Sequence, residues 1–129
     1  MYEDIKSNIA FKSILGKMSP RDDGNLDKLR NLYPSIPLDF LSFLSEIGAG
    51  EIGRASFVLY GGFMQPSDVY GETPAGLEHV LLFGDDMQGF CSGFDTRDWT
   101  VYEIDPASME STLVASNFEI FIRAKLNDL

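Results

Sequence analysis

The sequence predicts an α+β fold: N-terminal helices, a central, mostly antiparallel sheet in meander order, and a C-terminal helix packed on that sheet. Three observations lead there. Apolar residues recur at helical spacing before Gly48 and again after Ser116. Between those points short β-rich runs alternate with brief polar turns. Strands joined by such short turns pair as antiparallel neighbours. With 129 residues, no internal repeat and no shift in composition, the chain fits one domain spanning 1–129.

Taken in order, Tyr2, Ile5 and Ile9 keep helical spacing, and Phe11, Ile14, Leu15 and Met18 continue it after a slip in phase. Met18 to Gly24 reads as a loop. Leu26, Leu29 and Leu32 form a short helical stripe that stops before Pro34, because proline disfavours helix at the residue preceding it. A stronger helix follows, with Pro37 at its first position and Asp39 complementing its dipole. Its apolar face is Leu38, Leu41, Leu44 and Ile47, with Phe40 and Phe43 beside it, and Gly48 is its stop. Ser56–Tyr60 is a strand closed by Gly61-Gly62, and Phe63 to Gly76 is an irregular connection with room for one short strand.

Val80–Phe83 is apolar throughout, as expected of a strand buried on both faces. Residues 84–89 turn the chain into Phe90–Phe94, and 95–98 turn it again into Trp99–Ile104, which Asp105-Pro106 ends. Ser116-x-x-Glu119 matches a capping box at the head of a last helix, where Phe118, Phe121, Ile122 and Leu126 share one face.

Composition narrows the function classes. Twenty acidic residues against ten basic give a net charge of −10, which repels nucleic acid and anionic membrane and speeds encounter with a basic protein. The same surplus also serves solubility alone. The acidic start Met1-Tyr2-Glu3-Asp4 does not read as a secretory signal, no run reaches membrane-spanning length, and the lone Cys91 suits a reducing compartment. The expectation is a cytoplasmic protein without cofactor or metal.

Each chemical motif has a simpler structural reading. Asp85-Asp86 fails as a calcium loop because Met87 stands where a ligand belongs and Gly89 is off register. Asp85, Asp86, Asp95, Asp98 and Asp105 could hold a metal for hydrolysis only if separate turns converged, and aspartates at turns are ordinary. His79 is the single histidine, and Cys91 lies in an apolar strand where a thiol is usually inert. Gly48-x-Gly50-x-x-Gly53 has dinucleotide-loop spacing but follows a helix and precedes a strand, the reverse of what pyrophosphate binding needs. Alternation places Trp99 and Tyr102 on opposite faces, so at least one of them belongs to the core.

Three segments together resemble the SUKH superfamily, which includes a fungal cell-wall assembly regulator and many bacterial immunity proteins. They are Ile36–Leu44 with the following Gly48-Ala49-Gly50, then Val80–Gly89 with its Phe-Gly-Asp hairpin, and finally Thr100–Asp105 with Ser116–Ile122. The resemblance covers about residue 25 to the end; Ile47 stands where the family often has Asn. It implies a non-enzymatic immunity protein that binds and occludes a cognate polymorphic toxin, frequently a nuclease. The alternative it implies is an intracellular regulatory scaffold like the fungal relative. Charge and expected exposure, rather than the resemblance, select Asp85, Asp86, Asp95 and Asp98 as partner contacts, with Trp99 or Tyr70 as aromatic anchors.

Overall fold

The computed structural model describes all 129 residues. Six antiparallel strands form one sheet in the order β1-β2-β3-β4-β5-β6, so every strand pairs with its neighbour in sequence. They are β1 (Gly50–Ile52), β2 (Phe57–Met64), β3 (Val80–Asp85), β4 (Cys91–Asp95), β5 (Thr100–Ile104) and β6 (Ser111–Ala115). Helices α1 (Glu3–Ser7), α2 (Asp23–Leu32), α3 (Leu38–Glu46) and α5 (Phe118–Asn127) belong to one side, and the short α4 (Pro66–Tyr70) to the other. No helix is long and apolar enough to cross a membrane.

Side-chain alternation along the strands makes two cores. Phe83, Phe94 and Val101 point toward the helices into a cluster of 21 buried residues that includes Phe40, Phe43, Phe118 and Phe121. Phe40 sits at its centre, stacked on Phe63 at 5.3 Å and edge-on to Phe94 and Phe118 at 5.3 and 5.0 Å. Such ring pairs add about 0.5–1.5 kcal/mol each beyond the area they bury. On the opposite face Val80, Leu82, Cys91 and Ile104 meet Leu77 in a smaller cluster of five, with Tyr60, Met64 and Tyr70 packed over it. β3 is therefore buried on both faces, as its unbroken apolar run predicts.

Several elements differ from the sequence expectation, each for a physical reason. The N-terminal periodicity gives only the single turn of α1 and a 3₁₀ turn at Ile9–Phe11, broken where the phase slips. α2 begins at Asp23, capped by the Asp22 side chain on the Asn25 N–H at 2.9 Å, so Gly24 lies inside it. In α3, Pro37 caps the helix from just outside; Leu38 is exposed while Phe40 and Phe43 are fully buried, which rotates the apolar face toward the phenylalanines.

Gly61-Gly62 does not end β2. Gly61 takes a left-handed conformation (φ +80°), the register shifts as in a bulge, and the strand continues to Met64. The connection beyond holds α4 rather than a strand: Pro66 starts it, Gln65 and Asp68 cap one another's backbone, and Gly71 closes it. The last helix is capped by Asn117, whose Oδ1 accepts the Ile120 N–H at 2.9 Å, one residue later than the Ser116 box implies. Glu119 instead donates its backbone N–H to Asp39 Oδ2 at 2.9 Å, tying the heads of α5 and α3 together.

The glycines at 48 and 50 have a packing role. Ser19 exchanges both backbone hydrogen bonds with Ala49, at 2.8 and 3.0 Å, and a Cβ on Gly48 would fall 2.2 Å from the Ser19 carbonyl. The chain thereby lays residues 14–19 along the β1 edge, where Gly53 also donates to the Ile14 carbonyl at 2.9 Å. One edge of the sheet is thus covered by the N-terminal segment.

Candidate functional site

Charge gathers in the segment that forms most of the sheet and its turns. From Gly61 to Asn117, the segment that supplies α4, β3–β6 and their hairpins, ten acidic residues stand against Arg97 alone. They are Asp68, Glu72, Glu78, Asp85, Asp86, Asp95, Asp98, Glu103, Asp105 and Glu110. The rest of the chain carries ten acidic and nine basic residues and is close to neutral. Nearly all of the −10 therefore belongs to one continuous segment. Its sign is uniform enough to set the local field. Within it Glu103 is turned to the helix side, its carboxylate 3.9 Å from Lys125 Nζ.

The four aspartates selected from sequence separate into two places. Asp85 and Asp86 lie at the β3–β4 turn, Asp95 and Asp98 at the β4–β5 turn, and a meander puts consecutive turns at opposite ends of the sheet. The five residues of β4 separate them by about 15 Å. The β5–β6 turn returns to the first end, where Pro106 lies against Gly89. That end accordingly unites Asp85, Asp86, Asp105 and Glu110.

All four selected aspartates shape their own turns. Asp85 Oδ1 accepts the Met87 N–H at 2.7 Å and its Oδ2 accepts the Tyr60 hydroxyl at 2.6 Å. Asp86 Oδ1 accepts the N–H groups of Gln88 and Phe90 at 2.8 and 3.0 Å. Asp98 Oδ1 takes both the N–H and the hydroxyl of Thr100, at 3.1 and 2.7 Å. Asp95 is buried and bound to Arg97 through its N–H, Nε and Nη2 at 2.9, 3.0 and 2.7 Å. The Arg97 guanidinium holds the Asp95 carboxyl below the ordinary carboxylate range. Only Asp98 is exposed; Asp85 and Asp86 are half-buried, and Asp95 is internal.

Trp99 is not a strand residue. It holds a left-handed backbone (φ +59°) at the end of the β4–β5 turn, with its N–H on the Asp95 carbonyl at 2.6 Å. That geometry turns its ring to the helix side, half-buried against Phe94 at 5.4 Å and against Tyr33 and Phe63, each at 6.3 Å. Tyr33, Phe63 and Trp99 make a partly open aromatic rim beside Asp98 and Arg97. This is the composition from which binding hot spots are built. Tyr33 and Phe63 were not picked out in the sequence, because Tyr33 carries no local signal and Phe63 reads as the start of an irregular connection rather than as part of β2.

Tyr70 packs inward over the smaller core, its hydroxyl buried without a hydrogen-bond partner beside the Cys91 thiol. Burial raises the titration of Tyr70, of Tyr60 (with Asp85 adding to it) and of Cys91, so all three are neutral at physiological pH. His79, at the other end of β4, is exposed and uses its carbonyl to accept from Thr96. No three His, Cys, Asp or Glu side chains converge into a grouping able to hold a metal ion. Compared with the models of known protein families and with curated proteins, the chain matches none.

Proposed function

We propose that this domain is a SUKH-type immunity module, acting in the cytoplasm, that neutralises a basic protein toxin of the nuclease kind by covering it with the acidic outer side of its sheet. The observation that carries the reading is the segregation of charge: ten carboxylates against one arginine between Gly61 and Asn117, in a molecule otherwise near neutral. A nuclease must present cationic side chains to bind phosphate, so the surface it offers is complementary to this one. Binding of that kind needs no chemistry from the domain; it needs a rigid scaffold, steering and an anchor. The aromatic core supplies the first and the sheet-side carboxylates the second; the Tyr33–Phe63–Trp99 rim, on the helix side at the β4–β5 end, supplies the third to a partner that reaches round that end of the sheet.

The experiment is a titration against the purified toxin domain encoded beside this gene, at low and moderate salt. One-to-one binding that associates faster at low salt and abolishes the toxin's activity is the expected result. A folded, active toxin domain that does not bind would overturn the reading.

A further inference from the structure

The two edges of the sheet are treated differently. β1 has three residues and is covered by residues 14–19, with Lys17 paired to Glu51. β6 at the far edge pairs only with β5, and four of its five residues are exposed, Leu113 and Val114 among them. Sheet edges are commonly protected by lysine, proline or inward charge. Ser111-Thr112-Leu113-Val114-Ala115 has none of these, and the one irregularity, at Val114, bends only its far end. The Asp105 N–H donates to the Glu110 carbonyl at 3.0 Å. Alternation from that pair turns the N–H and C=O groups of Ser111 and Leu113 away from β5 and into solvent.

Beside the first residues of this edge runs a groove of about 510 Å³, between residues 74–77 and 108–111. Pro74, Leu77 and Met109 line it with apolar surface, and Glu110 stands among them with no cationic or hydrogen-bonding partner for its carboxylate in the chain. An aliphatic stem ending in a cation fits such a groove, the stem on the apolar wall and the head on the carboxylate.

We infer that β6 is a docking edge that takes an extended, basic segment of a protein partner as a seventh strand, with one Lys or Arg of that segment in the groove at Glu110. The inference rests on the proposed function and gives its mode of recognition. Main-chain hydrogen bonds to Ser111 and Leu113 supply affinity and register, and the basic side chain supplies selectivity. The net charge of the chain chooses a cationic strand over a second copy of it, since two copies would set −10 against −10.

The test uses the isotope-labelled full chain and a short synthetic peptide of alternating Lys and Val, followed by amide exchange and chemical shifts. Slowed exchange at Ser111 and Leu113 is expected. The same peptide N-methylated on its pairing amides keeps its charge and should bind about tenfold more weakly, and Glu110→Gln should weaken the parent peptide by about threefold. Equal affinity for both peptides, or protection at the hairpins without protection of β6, would overturn the inference; so would β6 already protected in a peptide-free dimer. If the toxin domain binds while β6 stays unprotected, only strand docking falls. If the peptide pairs but the toxin domain does not bind, docking stands and the immunity reading falls.

Discussion

On one face of the sheet Phe83, Phe94 and Val101 sink into a core of 21 buried residues; on the other, Leu82, Cys91 and Ile104 share a cluster of five under Tyr60 and Tyr70. The first face is dry and aromatic, closed by α3 and α5, with its charges at the margins, as in the Arg123 contacts to Asp4 and Glu119. The second is thin, ends in polar atoms and is surrounded by carboxylates. Stability is concentrated where charge is sparse, so the outer side can change its residues at less cost to the fold.

Mutations can break or sharpen this contrast. The largest effect is expected from Phe94→Ala, which opens a cavity among Phe40, Phe83, Phe118 and Trp99 and should cost about 3–5 kcal/mol in chemical denaturation. Leu82→Ala, on the same sheet but toward the smaller cluster, should cost about 2–3 kcal/mol, because that cluster holds five buried residues against 21. Equal losses at the two positions would erase the distinction between a principal and an accessory core.

Asp95→Asn comes next, with about 1–2 kcal/mol lost as charge-assisted bonds to the β4–β5 turn weaken. Arg97 is well exposed, so its own share is screened and small. Because the folded Asp95 titrates below its unfolded value, the stabilisation is present above the ordinary aspartate pKa and is lost as pH falls through the depressed folded value. Wild type and variant should therefore converge in stability below about pH 4. Denaturation curves across that range check it.

The sign of the effect, rather than its size, distinguishes two turns that share a backbone state. Met87 and Trp99 both hold left-handed conformations, φ +63° and +59°. Met87 is exposed, so Met87→Gly relieves strain and should stabilise by about 0.5–1 kcal/mol. Trp99→Gly relieves the same strain but removes a ring packed on Phe94 and Phe63, and should destabilise by about 2–4 kcal/mol. Opposite signs in thermal melts would mark where the core ends and the rim begins.

The fold class, the antiparallel meander and α5 were legible because their signals are local: apolar runs, short turns and a helical stripe. What escaped depends on partners distant in sequence. β6 is a five-residue run between two turns, with no buried side chain but Ala115 to give it an apolar rhythm. α4 is capped by Gln65 and Asp68, a pair outside the usual Ser/Thr signature. β2 crosses two glycines with a register shift, and Arg21 packs where a Cβ on Gly61 would stand, contacts distant in sequence. For the site, the aspartates at turns were visible but their division between the two ends of the sheet was not, since that follows from topology. Trp99 was visible as an aromatic and alternation from Val101 gives its side, yet its place in the turn with a left-handed backbone has no counterpart in the residue pattern. Charge segregation was present in the sequence and needed only to be counted by segment.

The most direct measurement of the central claim compares two sets of four neutralised carboxylates for association with the basic toxin domain that the proposed function invokes. The sheet-side set is Glu72, Glu78, Asp98 and Glu110, and the helix-side set is Glu3, Asp23, Asp27 and Asp128, all exposed and each changed to its amide. Both sets change the net charge equally. At low salt the sheet-side variant should associate about tenfold more slowly and the helix-side variant within about twofold of wild type. Equal slowing by both sets, or no slowing by either, would contradict the assignment of the acidic outer side as the binding face.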